Sequence, residues 1–177
     1  MVTMEGLHEE QMYVADIASK LGIQFEIKVH PYPTKTCREK AELLGGWPLD
    51  RIVKAVYFCD GGPFIGVVVP GVGRIDQKDV LTRADPSLTW DKACGYSTKS
   101  VPRGMRCGTC TPFPLESLVG SEIGRIVFCS YQPVEDKVVD ISLGGCDEYA
   151  MKLSMHIQYG DICRILRHKF GDSIVRV

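Results

Sequence analysis

Lys54 is the residue whose setting first raises a chemical question. It lies in R-I-V-K-A-V-Y-F-C, residues 51–59, an apolar and β-branched run of the kind that forms a strand with side chains alternating between two faces. Alternation places Lys54 with Ile52, Val56 and Phe58, opposite Val53, Ala55 and Tyr57, and neither face is polar enough to make a lysine routine. Two readings follow. On an edge strand the lysine snorkels, covering apolar surface with its stem and blunting the edge. Inside a site it supplies a fixed cation to a phosphate or a developing oxyanion.

A second feature is the density of positive charge in residues 92–115, where Lys92, Lys99, Arg103 and Arg106 occur with no acid between Asp91 and Glu116. The formal net charge of the chain is −1, which excludes a molecule that holds nucleic acid by its average field. RNA contact must be local, and this stretch is the candidate phosphate-facing surface. The plainer reading is a solvated loop that has collected basic residues.

Other groups point to less. Cys107 and Cys110 stand in C-G-T-C, but a structural zinc site wants a second such pair and none exists. A redox dithiol should open a helix, and Thr111-Pro112-Phe113-Pro114 follows instead. No metal or cofactor is expected. The eight cysteines are scattered through the chain and read as reduced thiols. His8, His30, His156 and His168 are widely separated, with no serine or aspartate at a spacing diagnostic of a triad. Pro70-Gly71-Val72-Gly73 lacks the lysine and hydroxyl residue of a phosphate-binding P-loop. No stretch is apolar for long enough to span a bilayer, and a soluble cytoplasmic protein is expected.

The elements that must position these residues follow from periodicity and punctuation. Residues 7–21 carry a helical apolar face closed by Gly22, and 24–30 alternate as a strand before Pro31. Residues 37–44 predict a short helix with Thr36 as N-cap, Glu39 as its capping-box partner and Gly45-Gly46 as the stop. Residues 51–59 and 64–69 predict a hairpin around Asp60-Gly61-Gly62-Pro63, and 76–83 a helix. Residues 91–114 predict a long loop, 125–130, 137–142 and 148–153 strands, and 159–170 a closing helix. The order argues for an α+β fold, one domain over residues 1–177, with a mixed sheet flanked by helices.

Four stretches, in this order, resemble the YbaK and prolyl-tRNA-synthetase-associated editing family from about residue 23 to the closing helix. Ala41-Glu42-Leu43-Leu44-Gly45 with Pro48 and Ile52-Val53-Lys54-Ala55 is similar to its A-E-L-L-G, P-x-x-x-I-V-K pattern; Val67-Val68-Val69-Pro70-Gly71 with Arg74, Asp76 and Lys78 resembles V-V-V-P-G, D-x-K-K. Gly95-Tyr96 with Val101-Pro102, and Gly144-Gly145, are the third and fourth. The resemblance implies a trans-acting hydrolase of a mischarged tRNA ester, with a small wrong amino acid such as alanine, for instance on tRNA-Pro. Lys54 inherits the family's functional lysine, which fixes the terminal adenosine's phosphate. Lys99, Val101 and Pro102 fall in its carbonyl-holding loop, and Arg74, Gly95, Tyr96, Thr98, Arg103, Arg106, Gly144 and Gly145 become candidate substrate contacts. The partners implied are the aminoacylated acceptor end of tRNA and an aminoacyl-tRNA synthetase.

The chain departs from that pattern in two places. The family's Gly-x-x-x-Pro loop aligns either with Lys99 and Arg103 or, shifted by one, with Thr98 and Pro102, and the glycine is absent both ways. Where prolyl-type domains carry a histidine, this chain reads Cys146-Asp147-Glu148-Tyr149. These departures support an alternative, a non-catalytic tRNA-binding module of a synthetase complex that kept the fold and the lysine.

Overall fold

The computed structural model describes residues 7–72 and 75–177. Its frame is a seven-stranded mixed sheet in the order β1 (Phe25–Val29), β6 (Leu153–Gln158), β5 (Val138–Ser142), β2 (Ile52–Phe58), β3 (Phe64–Pro70), β4 (Ile123–Phe128) and β7 (Ile174–Arg176). The β2–β5, β3–β4 and β4–β7 pairs are parallel and the others antiparallel, which bears out the expected α+β class with a mixed sheet.

Helices cover both faces. The alternating residues Val53, Ala55 and Tyr57 of β2, with Val139 and Ile141 of β5, join the core under α1 (Tyr13–Lys20) and α5 (Tyr159–Phe170). On the other face Phe58, Ile65, Val67 and Val127 pack with Val80 and Leu81 of α3 (Gln77–Ala84) and Ala93 of α4 (Trp90–Gly95). The predicted hairpin forms, with Gly61 at φ +102° and Asp60 Oδ1 accepting the Gly62 N–H at 3.2 Å in its turn.

The short helix α2 (Cys37–Leu43) starts where its cap predicts: Thr36 Oγ1 accepts the Glu39 N–H at 3.1 Å, and Glu39 Oε2 accepts the N–H groups of Lys35 and Thr36. That box fixes which way α2 turns its first residues.

Three expectations need correction. The loop of 91–114 begins instead as α4, capped by Thr89 Oγ1; six residues are too few for an apolar period to show. The strand expected at 148–153 is a turn, because Asp147 Oδ1 accepts the Ala150 N–H at 2.8 Å and winds 150–152 into a 3-10 turn. The true strand β6 begins at Leu153, where Leu153, Met155 and Ile157 alternate with Ser154 and His156. The three-residue strand β7 is an element that periodicity does not predict; it pairs with β4 and fixes the chain end.

Candidate functional site

The register between β2 and β5 creates the site. The two strands pair only at Ile52–Asp140 and Val53–Ile141, and among the described residues no strand covers that edge of β2 from Lys54 to Phe58. Pairing resumes at the single bridge between Cys59 and Ser97. A cavity of about 400 Å³ fills the gap. Six consecutive β2 residues, 52–57, line it, which is what a cavity opening onto a strand's edge requires, since one face would contribute only alternate residues.

Because directly paired residues point to the same side, Ile52 opposite Asp140 puts Lys54 and Asp140 on one face, one strand apart. Lys54 is half-buried and lines the cavity. Its strand is fourth of seven, so the edge at which Lys54 stands is a gap inside the sheet and not the sheet's outer margin. Around it stand Thr36, Cys37 and Lys40 from α2 and its cap, Ser142 from β5, and Thr98, Val101, Cys107, Gly108 and Cys110 from the long segment after α4.

That segment is held in place at its end. Tyr57 Oη donates to Thr111 O at 2.9 Å, Tyr13 Oη to Pro114 O at 3.1 Å and Gln11 Nε2 to Phe113 O at 2.5 Å. Gly108, at φ +89°, approaches so closely that an added Cβ would lie 3.3 Å from Lys35 O. On the opposite wall a Cβ at Gly71 would lie 2.7 Å from the carbonyl oxygens of Leu49 and Ile52 and 2.9 Å from Cys37 Sγ. Only a glycine fits there.

Beside Lys54 lies a buried polar cluster. Asp140 is 1% exposed. Its Oδ2 accepts from Ser154 Oγ at 2.5 Å and from His156 Nε2 at 3.1 Å, with His30 Nε2 at 3.5 Å, while Oδ1 faces Lys40 Nζ at 3.6 Å. Burial would push the Asp140 pKa up. The hydrogen bonds from His156 and His30, the Lys40 charge and the Ser154 hydroxyl outweigh it and hold the carboxyl far below the usual carboxylate range. Ser154 gives its one proton to Asp140, so His30 Nε2, 2.7 Å from Ser154 Oγ, must donate to it. The order serine to aspartate, histidine to serine is the reverse of a nucleophilic triad. Trp47 covers His156, ring centres 4.9 Å apart, and Arg51 lies 4.3 Å from the centre of the Trp47 ring.

Of the residues singled out from the sequence, Lys54, Thr98 and Val101 come together on the cavity. Lys99 is exposed and Pro102 buried, neither on the cavity. Arg103 is exposed, its N–H bonded to Glu122 Oε1 at 3.0 Å and its charge acting on Glu10. The stretch that carries no acid in sequence therefore has acids beside it in space. Arg106 lines a smaller neighbouring pocket with Pro33 and Thr109. Gly95 is exposed, and Tyr96 packs toward α3, its carbonyl accepting from Gln77 Nε2 at 2.7 Å. Gly144 and Gly145, at φ +74° and +125°, are turn residues pressed against Thr111 and Ala150. Arg74 lies outside the described residues. Cys107 and Cys110 line the cavity as thiols, burial pushing Cys110 up to about 12.

Lys40, Asp140, Ser154, His30 and His156 form a group that sequence reasoning does not assemble. One signal is present: Asp140 sits between Val139 and Ile141, a charge inside an apolar strand like Lys54 in its own.

No family model and no curated protein matches the chain. Solved structures do. A candidate trans-editing enzyme for prolyl tRNA synthetase superposes with a TM-score of 0.61 at 15% identity, covering 96% of this chain and 97% of that one. The hypothetical protein APE2540 gives 0.59 at 18% identity over 93% and 97%. A scaffold protein used for computational epitope backbone grafting gives 0.58 at 13% identity over 97% and 96%. The chain shares their fold. The shared frame spans nearly the whole length of each.

Proposed function

We propose that the chain is a cytoplasmic, trans-acting aminoacyl-tRNA deacylase that hydrolyses the ester of a tRNA mischarged with a small amino acid, such as alanine on tRNA-Pro. The observation that carries this reading is Lys54, a cation on an interior strand, lining a cavity on the open β2 edge. The fold shared with a candidate trans-editing enzyme supports it, as does the absence of any helix, among the described residues, long and apolar enough to cross a membrane.

In this reading the terminal nucleotide enters the cavity, Lys54 takes its phosphate, and the ester carbonyl meets backbone N–H groups on the open β2 edge. Water adds to the carbonyl carbon, the bond to the ribose oxygen breaks, and a proton passes to that oxygen with help from the neighbouring ribose hydroxyl. Histidines do not line the cavity, and Asp140 is already engaged. Positioning and electrostatic stabilisation therefore supply the rate. A volume of about 400 Å³ suits a nucleoside with a small acyl group better than one with a large side chain. A synthetase is the expected second partner.

The alternative, a non-catalytic tRNA-binding module, is favoured by one observation: Thr98, one of the two residues with which the family's loop glycine aligns, lines the cavity. Purified protein incubated with a panel of mischarged tRNAs separates the two. Release of alanine from alanyl-tRNA-Pro is the expected result. Tight tRNA binding without release across the panel would favour the module.

A further inference from the structure

Lys40 has a setting that its ion pair does not explain. A buried ammonium ordinarily brings its protons to acceptors at hydrogen-bond length. The Lys40 side chain is 10% exposed, and its ion pair with Asp140 Oδ1 spans 3.6 Å, longer than an ordinary hydrogen bond. Asp140 Oδ2 is shared among Ser154, His156 and His30, so the carboxylate is steered by other partners and does not close on the lysine. A purely structural pair would close, and would have protein on its remaining side. Lys40 instead lines the cavity, together with Lys35 and Lys54 and against the one acid Asp140. Desolvation lowers the Lys40 pKa, and the charge and hydrogen-bonding contact of Asp140 oppose that shift, so Asp140 orients the ammonium from one side while the cavity lies on another. Both Lys54 and Lys40 act on the same thiol, Cys37, in the opposite direction to its burial, so the two ammonium groups flank one region of the cavity.

We propose that Lys40 is a second anion-binding residue of this cavity, oriented by Asp140, whose remaining protons take a phosphate oxygen alongside Lys54. The identity of the anion as the acceptor-end phosphate rests on the function proposed above; the anion site itself rests on the geometry of Lys40.

The test is calorimetric titration of adenosine 5′-monophosphate and of adenosine into the wild-type protein, Lys40→Gln and Lys54→Gln. The wild type should bind the monophosphate more tightly than the nucleoside. Lys40→Gln should weaken the monophosphate by roughly tenfold or more, as for loss of a charged hydrogen bond, and leave adenosine unchanged. An unchanged monophosphate affinity, or equal losses for both ligands, overturns the proposal, as does a wild type that does not discriminate between them. If Lys40→Gln does not fold, wild-type protein with ¹⁵N-labelled lysines decides. The Lys40 ammonium resonance should shift on saturation with the monophosphate and stay in place with adenosine, and a resonance that ignores the phosphate rejects the site. A hairpin ending in CCA separates this claim from the functional one. Protein that binds the monophosphate through Lys40 and ignores the hairpin keeps the anion site and loses the tRNA reading. Protein that binds the hairpin equally well with Lys40→Gln keeps the tRNA reading and loses this proposal.

Discussion

The two walls of the cavity divide the work differently. The wall built by β2, β5 and α2 brings Lys54, Asp140 and Lys40, each held by a strand register or a capped helix. The wall built by the segment after α4 brings Thr98, Val101, Gly108 and Cys110, while its basic residues Lys99 and Arg103 face solvent. Apart from Lys35, just ahead of α2, charge enters the cavity from regular structure, and the segment after α4 contributes cover. A charge whose position matters is thus tied to backbone that cannot drift, whereas the charges on the loop are free to serve solubility.

The comparison predicts unequal consequences. The largest belongs to Asp140. Asp140→Asn leaves the Lys40 ammonium buried without its countercharge and should destabilise the fold by about 3–5 kcal/mol in chemical denaturation; adding Lys40→Met should recover part of that loss. The sign with pH follows from the depressed carboxyl. Stability from this group is fully present above its unfolded pKa of about 4 and is lost as the pH falls through the lower folded value, so the acid limb of the wild-type stability curve should flatten in the double variant. A denaturation midpoint unmoved by Asp140→Asn would mean that the strand wall is not held by this cluster.

Gly71→Ala comes next. Its Cβ would meet two carbonyl oxygens at 2.7 Å, and overpacking of that kind costs about 1–3 kcal/mol. Thermal melts should show it, and an unaltered melting temperature would mean the wall yields easily. The smallest effect belongs to the loop. Replacing Lys99 and Arg103 together by alanine should change stability by no more than about 0.5 kcal/mol. It should flatten the dependence of log K for tRNA on log salt by less than the roughly one unit expected for each phosphate left without its cation. A change of two units would show that the loop wall carries charge to the ligand after all.

Much of this is legible in the sequence, for identifiable reasons. The cap at Thr36, the hairpin at 60–63 and the alternation about Lys54 are local signals, and all three are realised in the fold. Strand β6 starts later than its apolar run suggests because the side chain of Asp147 turns the backbone ahead of the alternating residues. The basic stretch reads differently in space, because charge density along the chain ignores what lies beside it, here Glu122 and Glu10. Lys40 and the histidines on Asp140 cannot be assembled from spacing, since they meet only through the pairing of β6 with both β1 and β5 and the seating of α2. One charged residue inside each of two apolar runs, Lys54 and Asp140, is the usable clue.

The central claim is that the cavity on the β2 edge binds and cleaves an acylated acceptor end through Lys54. The direct measurement is alanyl-tRNA-Pro deacylation and tRNA affinity for Lys54→Ala and Lys54→Arg, beside thermal melts of each. Lys54→Ala should melt close to wild type with about 1.5–3 kcal/mol of interaction lost. Lys54→Arg should also be impaired, because a planar guanidinium does not replace a compact ammonium. Wild-type activity in Lys54→Ala with an unchanged melt would contradict the claim and leave the fold alone standing.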